Sequence, residues 1–336
     1  MGYVFCGHRG SGDHSCEDRV RGTCRLLREK PELYSACPEE DWHYGLGKLA
    51  GLYRQEPRLP ESDGVLVDGA AGTARRKRSA RAILWGWTPR EPTLTRRTVR
   101  ALGGYQAVVT MDRRGLALLR QAGLEKKARL GPDLSFLVER HIRPLRGAFR
   151  QDTVGLCLNA CCGRFEEREG LLYRSYCALI RFILEQTPFQ VALIPYCVKR
   201  NRNDLLLLTA LEGQFRDSGR IFLREDGDCR CLRGDISLCR CVVGSAGAVA
   251  AWSCGVPALC LGANGRSMGL AEELFGSWQE NVVPIGALTR EGGLTERFRR
   301  FLIREDWQRR KLEQIVPLRR QRSLSWDWEA MALPEE

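Results

Sequence analysis

Two of the chain's four histidines, His8 and His14, fall within one glycine-rich stretch, Gly7-His8-Arg9-Gly10-Ser11-Gly12-Asp13-His14. Imidazole titrates near neutral pH, so a histidine held on such a loop can take a proton from one group and return it to another. Asp13 stands next to His14, where a carboxylate can orient a ring. Gly10 and Gly12 leave backbone N–H groups open to an anion, and the start of a following helix adds a favourable partial charge. The stretch therefore fits proton transfer beside a phosphate or carboxylate, with His14 or His8 as acid or base. Its spacing is neither GxGxxG nor that of a Walker loop, so the same residues also fit a plain strand-to-helix turn. His43, beside an acidic block, and His141, between the two halves of the chain, are weaker candidates.

Such a loop needs a strand before it and a helix after it, and the chain offers that alternation throughout. Short apolar runs at 3–6, 64–67, 82–85, 107–110, 154–158, 191–195, 220–223, 241–243 and 258–261 read as strands. Helical spacing marks 19–28, 113–121, 171–186, 204–216, 268–275 and 298–312 between and after them. Strands separated by crossover-length helices predict an α/β fold with mainly parallel sheets. The charged segment 139–152, with Pro144 and Gly147, lacks an apolar period and divides the series in two. The expected organisation is an N-terminal Rossmann-like domain over 1–145, carrying the glycine-rich loop, and a C-terminal one over 150–295. A helix and tail over 296–336 are expected to pack back. Two such domains face a cleft near the carboxyl ends of their strands, where open α/β sheets bind ligands.

Composition narrows the partners. The net charge of +12 comes with 46 Arg against 7 Lys, dispersed along the whole chain. Aromatic residues are not interleaved with the one dense basic run, 75–81, so nucleic acid is not the expected partner. That run reads as a solvated face, with peripheral contact to a membrane surface or anionic acceptor as the sharper option. Fifteen cysteines, an odd number at modest density, predict reduced thiols and a cytoplasmic protein without an export signal. The uncharged stretch 241–265 holds five glycines and Pro257 and reads as a buried α/β core, not a membrane span.

At this point the chain resembles the polysaccharide pyruvyl transferases. A branch of that family opens with a Gly-His-Gly-Gly-Ser-Gly-Asn-His-Gly-Cys-Glu loop, matched here by Gly7 to Glu17. Further similar blocks follow in order: Pro38-Glu39-Glu40-Asp41 with Tyr44-Gly45-Leu46, Leu84-Trp85-Gly86, Pro132-Asp133-Leu134-Ser135-Phe136, Leu193-Ile194-Pro195-Tyr196 and the Asn203-Asp204 pair. Leu232-Arg233-Gly234, Gly244, Val256-Pro257 and Gly269 to Gly276 complete the series, which covers about positions 3 to 285. The resemblance implies a GT-B-like pair of Rossmann-like domains, with the acceptor on the N-terminal side and the donor on the C-terminal side. It implies transfer of pyruvate from phosphoenolpyruvate to a hexose of a cell-surface polysaccharide or exopolysaccharide, or its lipid-linked precursor, as a ketal. No metal or other cofactor enters that scheme. Arg113, Arg266, Ser245 and Gly247 join Gly10 and Gly12 as expected donor contacts, and Asn203 and Asp204 as expected acceptor contacts.

The chain departs from the family where the donor's anionic end is expected. The Arg-x-His element that follows the Val-Gly of a C-terminal strand is missing; Val243-Gly244 runs directly into Ser245-Ala246-Gly247. A lysine position holds Arg266, an Arg-Glu pair becomes Asp112-Arg113, and the histidine of the Ile-Pro-His block is Tyr196. Two alternatives therefore stand beside pyruvyl transfer: a family member that kept the fold and acts as a binding or scaffold protein, and a glycosyltransferase using a nucleotide sugar. The paired elements Cys229-Arg-Cys231 and Cys239-Arg-Cys241 are spaced unlike zinc knuckles and read as ordinary thiols. Cys161-Cys162 lacks a histidine pattern that would make a nucleophile.

Overall fold

The computed structural model describes residues 3–27, 30–54, 64–68, 82–89, 93–144, 149, 152–158, 166–199, 202–262 and 265–326. The basic run 75–81, Gly69 to Gly72, Cys161-Cys162 and Trp328 lie outside these residues. The chain forms two units: residues 1–138 with 264–273 and 318–336, and residues 139–263 with 274–317. The segment 264–273, expected in the C-terminal domain, thus belongs to the first unit.

The sheet of the first unit contains β1 (Tyr3–His8), β2 (Glu32–Ser35), β3 (Gly51–Arg54), β4 (Gly64–Asp68), β5 (Ala82–Trp87), β6 (Ala107–Thr110) and β7 (Ala128–Leu130). All neighbours run parallel, in the order β3-β2-β1-β4-β5-β6-β7. Parallel strands joined by helical crossovers are covered on both faces, and the period of two assigns residues to each. Phe5, Leu66, Ile83 and Val109 turn into one apolar cluster, and Val4, Cys6, Val65, Val67, Leu84 and Val108 into the other. Helix α1 (His14–Leu27) adds Val20, Cys24 and Leu27 to the first cluster. Helices α2 (Pro38–His43), α3 (Arg96–Leu102) and α4 (Arg113–Gln121) complete the main run of this unit. Strand order reverses at β1 and β4, and the carboxyl ends at such a reversal are where open sheets bind ligands.

The second unit repeats the plan with β8 (Thr153–Cys157), α5 (Glu166–Gln186), β9 (Gln190–Leu193), a small antiparallel pair β10 (Val198–Lys199) and β11 (Arg202–Asn203), α6 (Asp204–Phe215) and β12 (Ile221–Leu223). Helix α7 (Cys229–Ser237), β13 (Cys241–Gly244), α8 (Ala246–Ser253), β14 (Ala258–Gly262), α9 (Gly265–Phe275), β15 (Val282–Pro284) and α10 (Gly293–Leu324) follow in chain order, with residues 265–273 of α9 and 318–324 of α10 in the first unit. Its parallel sheet has the order β12-β9-β8-β13-β14-β15, reversing at β8 and β13. Val154, Leu156, Ile180, Ile183, Leu193, Val243, Leu261 and Phe298 meet in one core. None of the described helices is long and apolar enough to cross a membrane.

Candidate functional site

Strand β1 carries the first histidine to the carboxyl edge of its sheet. Its register shifts between Cys6 and His8, an irregularity of the kind that re-aims a side chain at a strand end. The His8 ring is fully buried, and its Nε2 lies 2.8 Å from Asp41 Oδ1 on α2. The Ser11 hydroxyl donates to the same oxygen at 2.7 Å. Burial alone would raise the Asp41 carboxyl, but the hydrogen bond and charge of His8, with Ser35 and Ser11, hold it below the ordinary carboxylate range. Asp41 is therefore ionised at neutral pH and accepts the Nε2–H, so that in the neutral ring the lone pair stands on Nδ1. That buried nitrogen has no hydrogen-bond partner among the described residues.

The glycines of the loop meet a carboxylate from their own chain. Gly10 has a φ of 98°, and a Cβ there would sit 2.4 Å from Glu40 Oε2. The Gly12 N–H donates to the same oxygen at 3.4 Å. Glu40 brings negative charge to amides expected to receive a donor phosphate, so Gly10 and Gly12 do not form an open anion cradle. Asp13, expected as the orienting acid, caps the start of α1, with Oδ1 accepting from the Ser15 amide at 3.1 Å and its hydroxyl at 2.6 Å. The carboxylates set against the rings are Asp41 for His8 and Glu17 for His14.

His14 begins α1 fully buried, with Nδ1 3.0 Å from Glu17 Oε2. Glu17 accepts from Arg21 Nε at 2.6 Å, and Arg21 reaches the Tyr44 carbonyl at 2.6 Å. The Tyr44 ring meets His14 edge-on, with centroids 5.2 Å apart. One helical turn on, Arg19 makes a two-point pair with Asp68 at the end of β4, at 3.0 and 3.1 Å. Burial works against the Arg19 charge, but Asp68 more than compensates and keeps it protonated. A buried network of hydrogen bonds and ion pairs thus lies at the carboxyl edge around β1 and β4.

In the second unit the expected acceptor contacts hold the backbone. Asn203 caps α6 by accepting the Leu205 N–H at 3.0 Å. Asp204 is buried, and its Oδ2 accepts the N–H groups of Tyr196 and Cys197 at 3.1 and 2.8 Å. These two side chains shape the loop after β9. At the reversal of this sheet, Ser245 precedes α8 without a side-chain cap, and its carbonyl accepts from Ala248 at 3.1 Å. Gly247 packs on β8, where a Cβ would come 2.3 Å from Cys157 Cβ. That close packing seats the helix start against the strand end, as phosphate-binding turns of this topology require.

The two expected donor arginines belong to the first unit. Arg266 donates to Asp133 Oδ1 at 2.9 Å, so its charge is already matched by a carboxylate. Burial raises the Asp133 carboxyl, yet the charge of Arg266 brings it below the ordinary range. Arg113 opens α4 with an exposed side chain, and its backbone N–H donates to Glu273 Oε1 at 2.8 Å. Beside it, Asp112 caps α4 by accepting the Gly115 N–H at 2.7 Å. Burial, helped by Glu273 and Asp133, pushes its carboxyl up to about 6.

Cys229, Cys239 and Cys241 are buried thiols in no disulfide, with Cys231 partly covered. Burial pushes the thiols of Cys239 and Cys241 well above their ordinary value, which makes them poor nucleophiles. No group of three or more His, Cys, Asp or Glu among the described residues is placed to hold a metal ion.

No family model matches the chain, and no curated protein matches it. Solved structures do. The chain is similar to the S. aureus MnaA–UDP complex, with a TM-score of 0.63 and 13% identity over 92% of this chain and 89% of that one. It is similar to the UDP-GlcNAc 2-epimerase from Neisseria meningitidis bound to UDP-GlcNAc, with a TM-score of 0.63 and 12% identity over 93% and 94%. CalG4, the calicheamicin glycosyltransferase, gives a TM-score of 0.50 and 14% identity over 98% of both chains. At these identities the likeness is one of fold: an α/β architecture with two parallel sheets.

Proposed function

We propose that this protein is a saccharide transferase, with a nucleotide sugar as donor and the first unit's glycine-rich loop receiving the acceptor hydroxyl. The observation that carries the reading is the His8–Asp41 pair. Its ionised carboxylate holds Nε2 as the donor, so Nδ1 is the nitrogen that serves as base in the neutral ring, at the carboxyl end of the central strand β1. A base in that state takes the proton of an attacking hydroxyl, and Asp41 stabilises the imidazolium that results. The Glu40 carboxylate favours the same assignment, since it repels a phosphate and can accept a hydrogen bond from a hydroxyl. Because the ring is fully buried, the loop must move when the acceptor enters.

The phosphorylated donor is assigned to the second unit, at the reversal of its sheet, where the first amides of α8 stand at a helix start. Support for a nucleotide sugar comes from the fold shared with proteins whose structures contain UDP or UDP-GlcNAc. Pyruvyl transfer from phosphoenolpyruvate is the second reading, favoured by the ordered sequence blocks from Gly7 to Gly276. The commitment of Arg266 to Asp133 weakens it, because that guanidinium is one of its two expected cationic donor contacts.

The test is transfer of sugar from UDP-glucose and UDP-GlcNAc, or of pyruvate from phosphoenolpyruvate, to an oligosaccharide acceptor panel, read by mass spectrometry. His8→Gln keeps an N–H directed at Asp41 but removes the base. It is expected to retain donor binding and to lose transfer by about 100-fold or more. Unchanged turnover in that variant would remove His8 from the mechanism.

A further inference from the structure

A cavity of about 630 Å³ lies within the first unit, at the carboxyl ends of β6 and β7. Its volume is that of a small-molecule site. Phe136, buried with the Arg319 guanidinium 5.8 Å from its ring centre, and Trp326, half-buried against Trp85, supply its aromatic lining. Four arginines and three carboxylates also line it, and the carboxylates are matched in turn. Glu273 receives Arg319 at 2.6 Å, Glu272 lies 3.8 Å from Arg114, and Asp133 receives Arg266 from beside the cavity at 2.9 Å. Two lining guanidinium groups, Arg113 and Arg322, then remain without a carboxylate partner among the described residues.

A wall of two aromatic rings beside two unmatched cations selects for a flat ring carrying an anion. We infer that this cavity binds a phosphate- or carboxylate-bearing small molecule with a planar ring, of nucleoside-monophosphate size. The site is separate from the glycine-rich loop, which follows β1, and from the helix start at Ser245, which belongs to the second unit. It adds a third ligand to the acceptor and donor of the proposed reaction and does not depend on that reaction being correct.

The test uses 1-naphthyl phosphate as a fluorescent probe of the full chain, with neutral 1-naphthol as its control. The phosphate form is expected to saturate and to bind at least about tenfold more tightly than the naphthol. The double variant Arg113→Gln with Arg322→Gln changes two exposed side chains, and circular dichroism checks that its fold is kept. It should weaken the phosphate form by about tenfold or more and leave the naphthol unchanged, whereas Trp326→Ala should weaken both. Excess UDP-glucose should leave the probe in place. Equal affinity for the two aryl compounds, an unaffected double variant, or displacement by UDP-glucose would each overturn the inference, the last by placing the probe in the donor site.

Discussion

Replacing Asp112 by asparagine should make the protein more stable at neutral pH, although the residue caps a helix. Asp112 is 2% exposed; Oδ1 accepts the Gly115 N–H, and Oδ2 has no hydrogen-bond partner among the described residues. Burial first, then Glu273 and Asp133, lift its carboxyl from the ordinary 3.8 to about 6, against the opposing pull of the Gly115 bond and Arg266. A group that binds its proton more tightly folded than unfolded makes stability fall as pH rises, here between about 4 and about 6. At 1.36 kcal/mol per pH unit, the loss above that window is about 3 kcal/mol. Asparagine retains an acceptor for Gly115 and has no charge to bury. Urea unfolding of both proteins from pH 4 to pH 7 isolates the effect as the difference between them. That difference should start near zero at pH 4 and grow to about 1–3 kcal/mol in favour of Asp112→Asn by pH 7, allowing for one new buried amide N–H. Parallel stability curves, or a variant less stable at pH 7, would refute the reasoning.

Other residues make separate predictions. Asp204→Ala strands the Tyr196 and Cys197 amides and should cost about 2–4 kcal/mol in denaturant unfolding, against about 1 kcal/mol for the simple cap Asn203→Ala; equal costs would contradict the assignment of Asp204 to both amides. His8→Ala leaves the buried Asp41 charge without its imidazole and should cost about 3–5 kcal/mol, while His8→Gln should recover much of that in thermal melts. The depressed Asp41 carboxyl contributes stability above the ordinary carboxylate range, lost as pH falls through its folded value; Asp41→Asn should therefore flatten the acid limb of the melting curve. Glu40→Gln removes the charge facing Gly12 and should let inorganic phosphate shift the Gly12 amide resonance, an effect absent from the parent protein.

The alternation of buried strands and crossover helices was legible in the chain because strands covered on both faces are continuously apolar, as in Val65-Leu66-Val67 and Ala82-Ile83-Leu84-Trp85. The strands not legible were short ones, β2, β3, β7, β10, β11 and β15: β2 includes exposed Glu32, β3 alternates little, β10 and β11 are two residues each, and β15 ends at Pro284 on the sheet edge. His14 with Glu17, and Glu17 with Arg21, were readable in principle, since those spacings place side chains on one helix face. The partners that define the other histidine were not. Asp41 lies 33 residues from His8, and Asp68 lies 49 from Arg19. Only the strand order β2-β1-β4 brings those ends together. Arg266 read as a free cation because its carboxylate, Asp133, is 133 positions away.

The most direct measurement is calorimetric titration of the folded chain with UDP-glucose, UDP-GlcNAc and phosphoenolpyruvate in parallel. The account predicts saturable binding of at least one UDP-sugar, retained by His8→Gln and weakened by Gly247→Val, which obstructs the packing of the helix start on Cys157. Binding of phosphoenolpyruvate alone would replace the nucleotide sugar with pyruvyl transfer. Failure of all three donors at millimolar concentration would contradict transfer itself and leave a binding or scaffold protein on this fold.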